Sequence, residues 1–177
     1  MGKNAYKKKS TMKNDQSILV ISLPRMVDNR GYNSILLDKD ITVQLPDDFY
    51  IVQIKQGFSI KPYTLRGLHY QEGTYAQAKL CYALTGSVFN VALNLATGEV
   101  HTATLTPGYA MFIPKGYAHG YLTLEPNTLF QWCMDNDYAP EAARIVRYDS
   151  CGINWPDGDY IISEKDQNGE LWHGRPK

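Results

Sequence analysis

From Ile18 onward, apolar and polar residues alternate over short runs rich in Val, Ile, Tyr, Phe and Thr, and Gly, Pro, Asn and Asp interrupt them every few residues. Alternation at period two, bounded by turn formers, predicts antiparallel strands. The predicted strands are 18–23, 32–37, 49–56, 64–70, 79–85, 87–95, 100–105, 110–113, 120–124 and 129–134, with weaker ones at 144–147 and 160–163. Only Leu37 to Gln44 and Ser163 to Gln167 carry a helical period. About ten strands, with turns such as Thr97-Gly98 and Thr106-Pro107-Gly108, predict an all-β sandwich or jelly roll with a few short helices. The organisation expected is a lysine-rich N-terminal tail, 1–17, followed by a single domain, 18–177, without internal repeat or linker.

The run from Ser87 to Leu95 sets Val88, Asn90, Ala92 and Asn94 on one face and Phe89, Val91, Leu93 and Leu95 on the other. A face carrying two amides suits either a ligand cavity or an outer surface, and the pattern alone does not choose.

Charge narrows the picture. The 18 Lys+Arg and 18 Asp+Glu cancel, so the chain offers no overall attraction to a nucleic-acid backbone, and a few placed cations must hold any anionic ligand. No apolar stretch approaches the roughly 20 residues of a membrane span. Met1 to Asn14 lacks the apolar segment of a secretory signal. The three cysteines, Cys81, Cys133 and Cys151, show no C-x-x-C spacing, which points to a reduced, cytoplasmic setting with Cys81 and Cys133 as small buried groups.

Four histidines are candidates for chemistry. His69 lies in Arg66-Gly67-Leu68-His69-Tyr70-Gln71, at a bend that Gly67 permits, and His119 in a turn, Ile113-Pro114-Lys115-Gly116-Tyr117-Ala118-His119-Gly120, leading into a strand. A Gly-x-His strand followed about 50 residues on by Pro-x-Gly-x-x-His resembles the cupin jelly roll, whose two motifs face each other across a barrel. Metal-binding cupins continue His-x-His and then Glu; here Gln71 takes the second histidine position and Glu72 follows at once, so no metal is expected.

Further motifs make the resemblance specific. Gln77-Ala78-Lys79-Leu80, Gly86-Ser87-Val88-Phe89-Asn90-Val91-Ala92, Tyr138-Ala139-Pro140-Glu141 and Ile153-Asn154-Trp155-Pro156 join the two histidine motifs in order, after an opening Asp28-Asn29-Arg30-Gly31. From about residue 28 to 166 the chain resembles the dTDP-4-dehydrorhamnose 3,5-epimerase family. The resemblance implies a cofactor-free jelly-roll epimerase acting on a nucleotide-linked 4-keto-6-deoxy sugar. Such an enzyme removes a proton beside the C4 ketone and returns one on the other face.

That reaction needs a base of near-neutral pKa, a cation or donor for the enolate oxygen, and an acid opposite the base. The resemblance makes His69 the base, Asp166 its partner, Lys79 the cation near the ketone oxygen and Tyr138 the acid. Without it, Lys79 reads as a surface lysine and Tyr138 as one of thirteen tyrosines packed by its ring. His119 is placed in the pocket, where it otherwise reads as a buried, hydrogen-bonded histidine. Gln71 and Asn94 are further candidates for sugar contacts, Arg66 and Arg30 for the diphosphate. Arg30 would serve a neighbouring subunit of a homodimer. His101 and His173 match nothing and read as surface residues.

The chain departs from the family's pattern in places. Asn33 and Ile35 stand where an aromatic and an acidic residue are usual; Gln53 to Ser59 fits only with a shift; Pro62 and Tyr63 replace smaller residues; Asn90, Asn94 and Ala96 replace two aspartates and an arginine. These positions bear on base and sugar recognition and on which carbon is inverted. The leading substrate is dTDP-4-dehydro-6-deoxy-D-glucose, giving dTDP-4-dehydro-L-rhamnose. A CDP- or GDP-linked deoxy sugar or heptose inverted at one carbon stays open, as do two other classes, a metal-dependent cupin and a non-catalytic sugar-binding jelly roll.

Overall fold

Two antiparallel sheets face each other. The first orders its strands β1 (Leu19–Ser22), β9 (Tyr109–Ile113), β6 (Lys79–Thr85), β11 (Thr128–Met134) and β4 (Gln53–Ser59). The second orders β12 (Ala143–Ile145), β5 (Thr64–Gln71), β10 (Tyr117–Thr123), β7 (Val88–Asn94) and β8 (Val100–Leu105), with β13 (Ile161–Ile162) parallel to β5. A separate hairpin pairs β2 (Arg25–Asp28) with β3 (Gly31–Ser34). The pattern predicted a sandwich or jelly roll and the chain folds as a jelly roll, of the cupin type that the resemblance implies. The computed structural model describes residues 17–174, so the lysine-rich tail lies outside the described residues but for Ser17.

Strand alternation sorts the core into three layers. Between the sheets lie Cys81 and Ala83 of β6, Val88 and Ala92 of β7, Met111 of β9, Tyr121 of β10 and Phe130 of β11. The opposite faces of β6 and β9, Leu80, Tyr82 and Phe112, are covered by the segment holding helix α1 (Lys39–Thr42), through Ile41, Leu45 and Phe49. The outer face of the second sheet, Leu68, Val91, Leu93 and Ala118, is covered by Val146, Trp155 and Trp172 from the C-terminal stretch. Both faces of β7 are therefore enclosed: its Val88, Asn90 and Ala92 face enters the core between the sheets, neither a cavity wall nor an outer surface.

The helix over 37–44 is shorter than its period predicts. Asp38 caps it by accepting from the N–H groups of Asp40 and Ile41, but its last turn tightens as Gln44 and Leu45 donate to Ile41 and Thr42 before Pro46 ends it. The strand expected over 32–37 shifts to Gly31–Ser34, because Asn29-Arg30 closes a hairpin with β2, which the pattern missed. β10 begins at Tyr117 rather than Gly120, so His119 lies within a strand and not in a turn.

That shift matters for the site. β5 and β10 pair His119 with His69 and Tyr121 with Arg66, so two residues of β10 oppose three of β5. The extra residue is a bulge that keeps both Arg66 and His69 on the inner face despite their odd spacing. Gly67 makes it possible: its φ is +123°, and a Cβ there would lie 2.5 Å from the Cα of Gly120.

Candidate active site

At one end of the space between the sheets is a cavity of about 420 Å³ lined by residues of β4, β5, β6, β10, β11 and β12 and by the segment around helix α2 (Glu164–Gln167). His69, Arg66, Gln71, Lys79, His119, Tyr138 and Asp166 all line it, so seven of the nine candidates converge, from segments nearly 100 residues apart.

His69 is paired with Asp166: Nε2 lies 2.7 Å from Oδ1, with the His69 side chain about half exposed to the cavity and Asp166 buried. A carboxylate accepts only, so Nε2 carries the proton and Nδ1 is left to accept one. Asp166 is set at the third position of α2, whose N-cap Ser163 accepts from the Asp166 N–H. Its Oδ2 also accepts from the Gly67 N–H at 3.2 Å. Burial pushes the Asp166 carboxyl up, but the His69 hydrogen bond and charge, with Gly67 and Ser163, outweigh it and leave it below its ordinary value.

Lys79 begins β6 on the inner face and is only 6% exposed. Its Nζ donates to the carbonyl of His69 at 3.1 Å. Burial, assisted by nearby Lys55 and opposed by Cys81, brings its pKa down to about 8. His119, buried directly across from His69, has Nε2 2.8 Å from Asn90 Oδ1, while Asn90 Nδ2 donates to Met111 Sδ at 3.1 Å. The Asn90 oxygen therefore accepts from Nε2–H. Burial, then the charges of Lys79 and His69, hold the His119 pKa well below its ordinary value, so this imidazole is neutral.

Tyr138 lies on the loop after β11, 47% exposed, with Lys55 Nζ 4.4 Å from its ring centroid. Lys55 went unassigned in the sequence. The signal was alternation along β4, which turns Gln53, Lys55, Gly57 and Ser59 inward and Ile54, Gln56 and Phe58 outward. Asn90 was recognised only as a departure, not as the partner of His119.

Two candidates are elsewhere. Asn94 does not line the cavity; at the far end of β7 its Oδ1 accepts from the N–H groups of Ala96 and Thr97, and its Nδ2 donates to Tyr117, making it a turn former. Arg30, at the tip of the β2–β3 hairpin, is bound to Asp28 at 2.6 Å and is absent from this protomer's cavity. His101 is partly buried beside Glu99 and Tyr117 rather than on the open surface.

Chemically, the cavity gathers the cations that the neutral chain must place: Lys55, Arg66, Lys79, Arg144 and Lys165 line it, against the single carboxylate of Asp166. It therefore suits an anionic ligand, with a base, a buried ammonium and a phenol on its walls. Among the described residues, no three His, Cys, Asp or Glu side chains are grouped as metal ligands. The three cysteines are free thiols, and no helix described is long and apolar enough to cross a membrane.

The comparisons with known proteins agree. The chain is 32% identical over 151 residues to the dTDP-4-dehydrorhamnose 3,5-epimerase of Sinorhizobium fredii, covering 80% of this chain and 77% of that one. The crystal structure of the Bacillus anthracis dTDP-4-dehydrorhamnose 3,5-epimerase, with TDP and PPi bound, superposes with a TM-score of 0.81 at 26% identity over 88% of this chain and 94% of that one. The Legionella pneumophila dTDP-6-deoxy-D-glucose-3,5-epimerase, in complex with dTDP-4-keto-L-rhamnose, gives a TM-score of 0.79 at 29% identity, covering 87% of each chain. The family model described as dTDP-4-dehydrorhamnose 3,5-epimerase matches residues 15–173, which take in every strand of both sheets and the cavity between them, and to that family this chain belongs.

Proposed function

We propose that this protein epimerises dTDP-4-dehydro-6-deoxy-D-glucose to dTDP-4-dehydro-L-rhamnose. The observation that carries the reading is the His69–Asp166 pair opening onto a cation-lined cavity shared with Lys79 and Tyr138. His69 Nδ1 takes the proton from a carbon beside the C4 ketone, and the electron pair moves onto the ketone oxygen as an enolate. Asp166 stabilises the imidazolium. The buried Lys79 ammonium stabilises the enolate oxygen; its pKa of about 8 keeps it mainly charged at pH 7. Tyr138 returns a proton to carbon on the face away from His69, after which the phenolate and the imidazolium re-equilibrate with solvent. Neutral His119, whose one N–H goes to Asn90, accepts a hydrogen bond from the sugar at Nδ1, and Arg66 pairs with the diphosphate. Asn94 drops out as a ligand because its amide is committed to a turn.

The test is solvent exchange in heavy water with 4-keto-6-deoxy sugars carried on dTDP, CDP and GDP, each C–H followed by NMR. Deuterium at C3 and C5 with inversion on the dTDP sugar, abolished by His69→Ala, is the expected result. Exchange only on another nucleotide would move the substrate, and none from folded protein would overturn the reading.

We also propose a homodimer. β4 ends its sheet, and Ile54 and Phe58 on its outward face, 57% and 55% exposed, with Ile60 just beyond it, 70% exposed, form an apolar strip that no element among the described residues covers. The β2–β3 hairpin, which follows β1 at the opposite edge of the sheet, adds exposed Met26, Val27 and Tyr32, and its tip carries Arg30, the residue that would serve a second copy's cavity. Light scattering is expected to give twice the chain mass, falling to the monomer in Ile54→Glu/Phe58→Glu; a monomeric wild type would refute it. Its free thiols suit the reducing cytoplasm.

A further inference from the structure

Gln71 is the last residue of β5, buried in the cavity wall two positions beyond His69. Its amide is committed within the protein. Nε2 donates to the carbonyl of Tyr75 at 2.7 Å and to that of Asp137 at 3.0 Å, and Oε1 accepts from the N–H of Ala139 at 2.8 Å. A primary amide has two N–H donors, so none remains for a ligand. Two of the three bonds hold the residues immediately before and after Tyr138. Gln77 adds a clasp on the same loop through Asn136 and Asp137.

Tyr138 needs such a grip. The residue is about half exposed with the Lys55 ammonium over one face of its ring, so burial alone does not fix where the ring points. A ring on a loop is then aimed through its backbone. We infer that Gln71 is a positioning residue that aims Tyr138 at the substrate carbon, and not a ligand for the sugar. It thereby ties both proton-handling groups to one strand, since β5 carries His69 directly and holds Tyr138 through Gln71. The inference rests on the reading of Tyr138 as the acid.

In heavy water the two halves of the reaction separate. His69 alone gives exchange with retention, whereas inversion needs Tyr138. The ratio of inversion to exchange comes from the same active molecules and is independent of the folded fraction. Tyr138→Phe sets the reference by lowering that ratio. Gln71→Met is expected to lower it about 100-fold, the effect of a displacement near 1 Å, with KM unchanged, and to lower it no further in the Tyr138→Phe background. Should Gln71→Met not accumulate as folded protein, Gln71→Glu gives up both donors at constant volume and carries the same comparison. If Tyr138→Phe lowers the ratio and the Gln71 variants do not, the inference is overturned; raised KM at a constant ratio would return Gln71 to the sugar. A wild-type ratio in Tyr138→Phe would instead overturn the acid assignment.

Discussion

Lys79→Met isolates the energetic cost of the site. The Lys79 ammonium is buried, and its fall from 10.5 to about 8 corresponds to roughly 3 kcal/mol of folding free energy lost by keeping it charged at pH 7. The substitution also gives up the hydrogen bond to the His69 carbonyl, worth about 1 kcal/mol. Lys79→Met should therefore be about 2 kcal/mol more stable than wild type at pH 7 while losing turnover. A depressed lysine pKa means that the unfolded chain binds more protons between pH 8 and 10.5, so the lysine's penalty shrinks as pH rises through that window. Buried Tyr121, pushed up to about 12 by burial, works in the other direction in both proteins, and so does Cys81, which loses the lowering effect of the ammonium in Lys79→Met. The difference between the two proteins is thus the quantity to follow, by urea denaturation at pH 7, 8.5 and 10. An advantage for Lys79→Met that fades toward zero supports the reasoning. A less stable variant, or an advantage indifferent to pH, would refute it.

Asp166→Asn turns an amide N–H toward His69 and forces the wrong tautomer, so exchange should fall roughly a thousandfold or more. The stability that the depressed Asp166 carboxyl supplies is present above its unfolded pKa and lost as pH falls through the lower folded value. Acid melts should accordingly show the wild type losing ground to Asp166→Asn as pH drops below about 4, and parallel melts would speak against the pairing. Gly67→Ala should cost about 3 kcal/mol or more, because φ is +123° and the added carbon meets the Gly120 backbone; a urea midpoint near wild type would contradict the close approach of β5 and β10. Asn90→Asp places a carboxylate on His119 Nε2 and should raise its pKa by about one to three units. Histidine NMR reads this directly, and an unmoved resonance would show that Asn90 does not set the protonation of His119.

The alternating pattern was enough for most strands of the two sheets because each turns one face toward a packed core. Lys79–Thr85 and Val100–Leu105 have the bounds that alternation gives. It faltered where the backbone makes its own arrangements. The β2–β3 hairpin is exposed on both strands, so it carries no apolar period to read. In β10, Gly120 was taken for a strand start, when it is the glycine that admits Gly67 from the neighbouring strand. Asn94 looked like a ligand because its position parity matched Asn90, yet parity fixes a face and not a depth along the strand.

The sequence by itself determined the all-β class, the family and the set of candidate site residues, since these rest on local alternation and on motifs of fixed spacing. Tertiary structure alone decided which of those residues meet. The bulge at Gly67 turns Arg66 and His69 to one side, α2 brings Asp166 under His69 from 97 positions away, and burial lowers the Lys79 pKa. Distance, depth and dielectric belong to segments remote in the chain, and no local pattern encodes them.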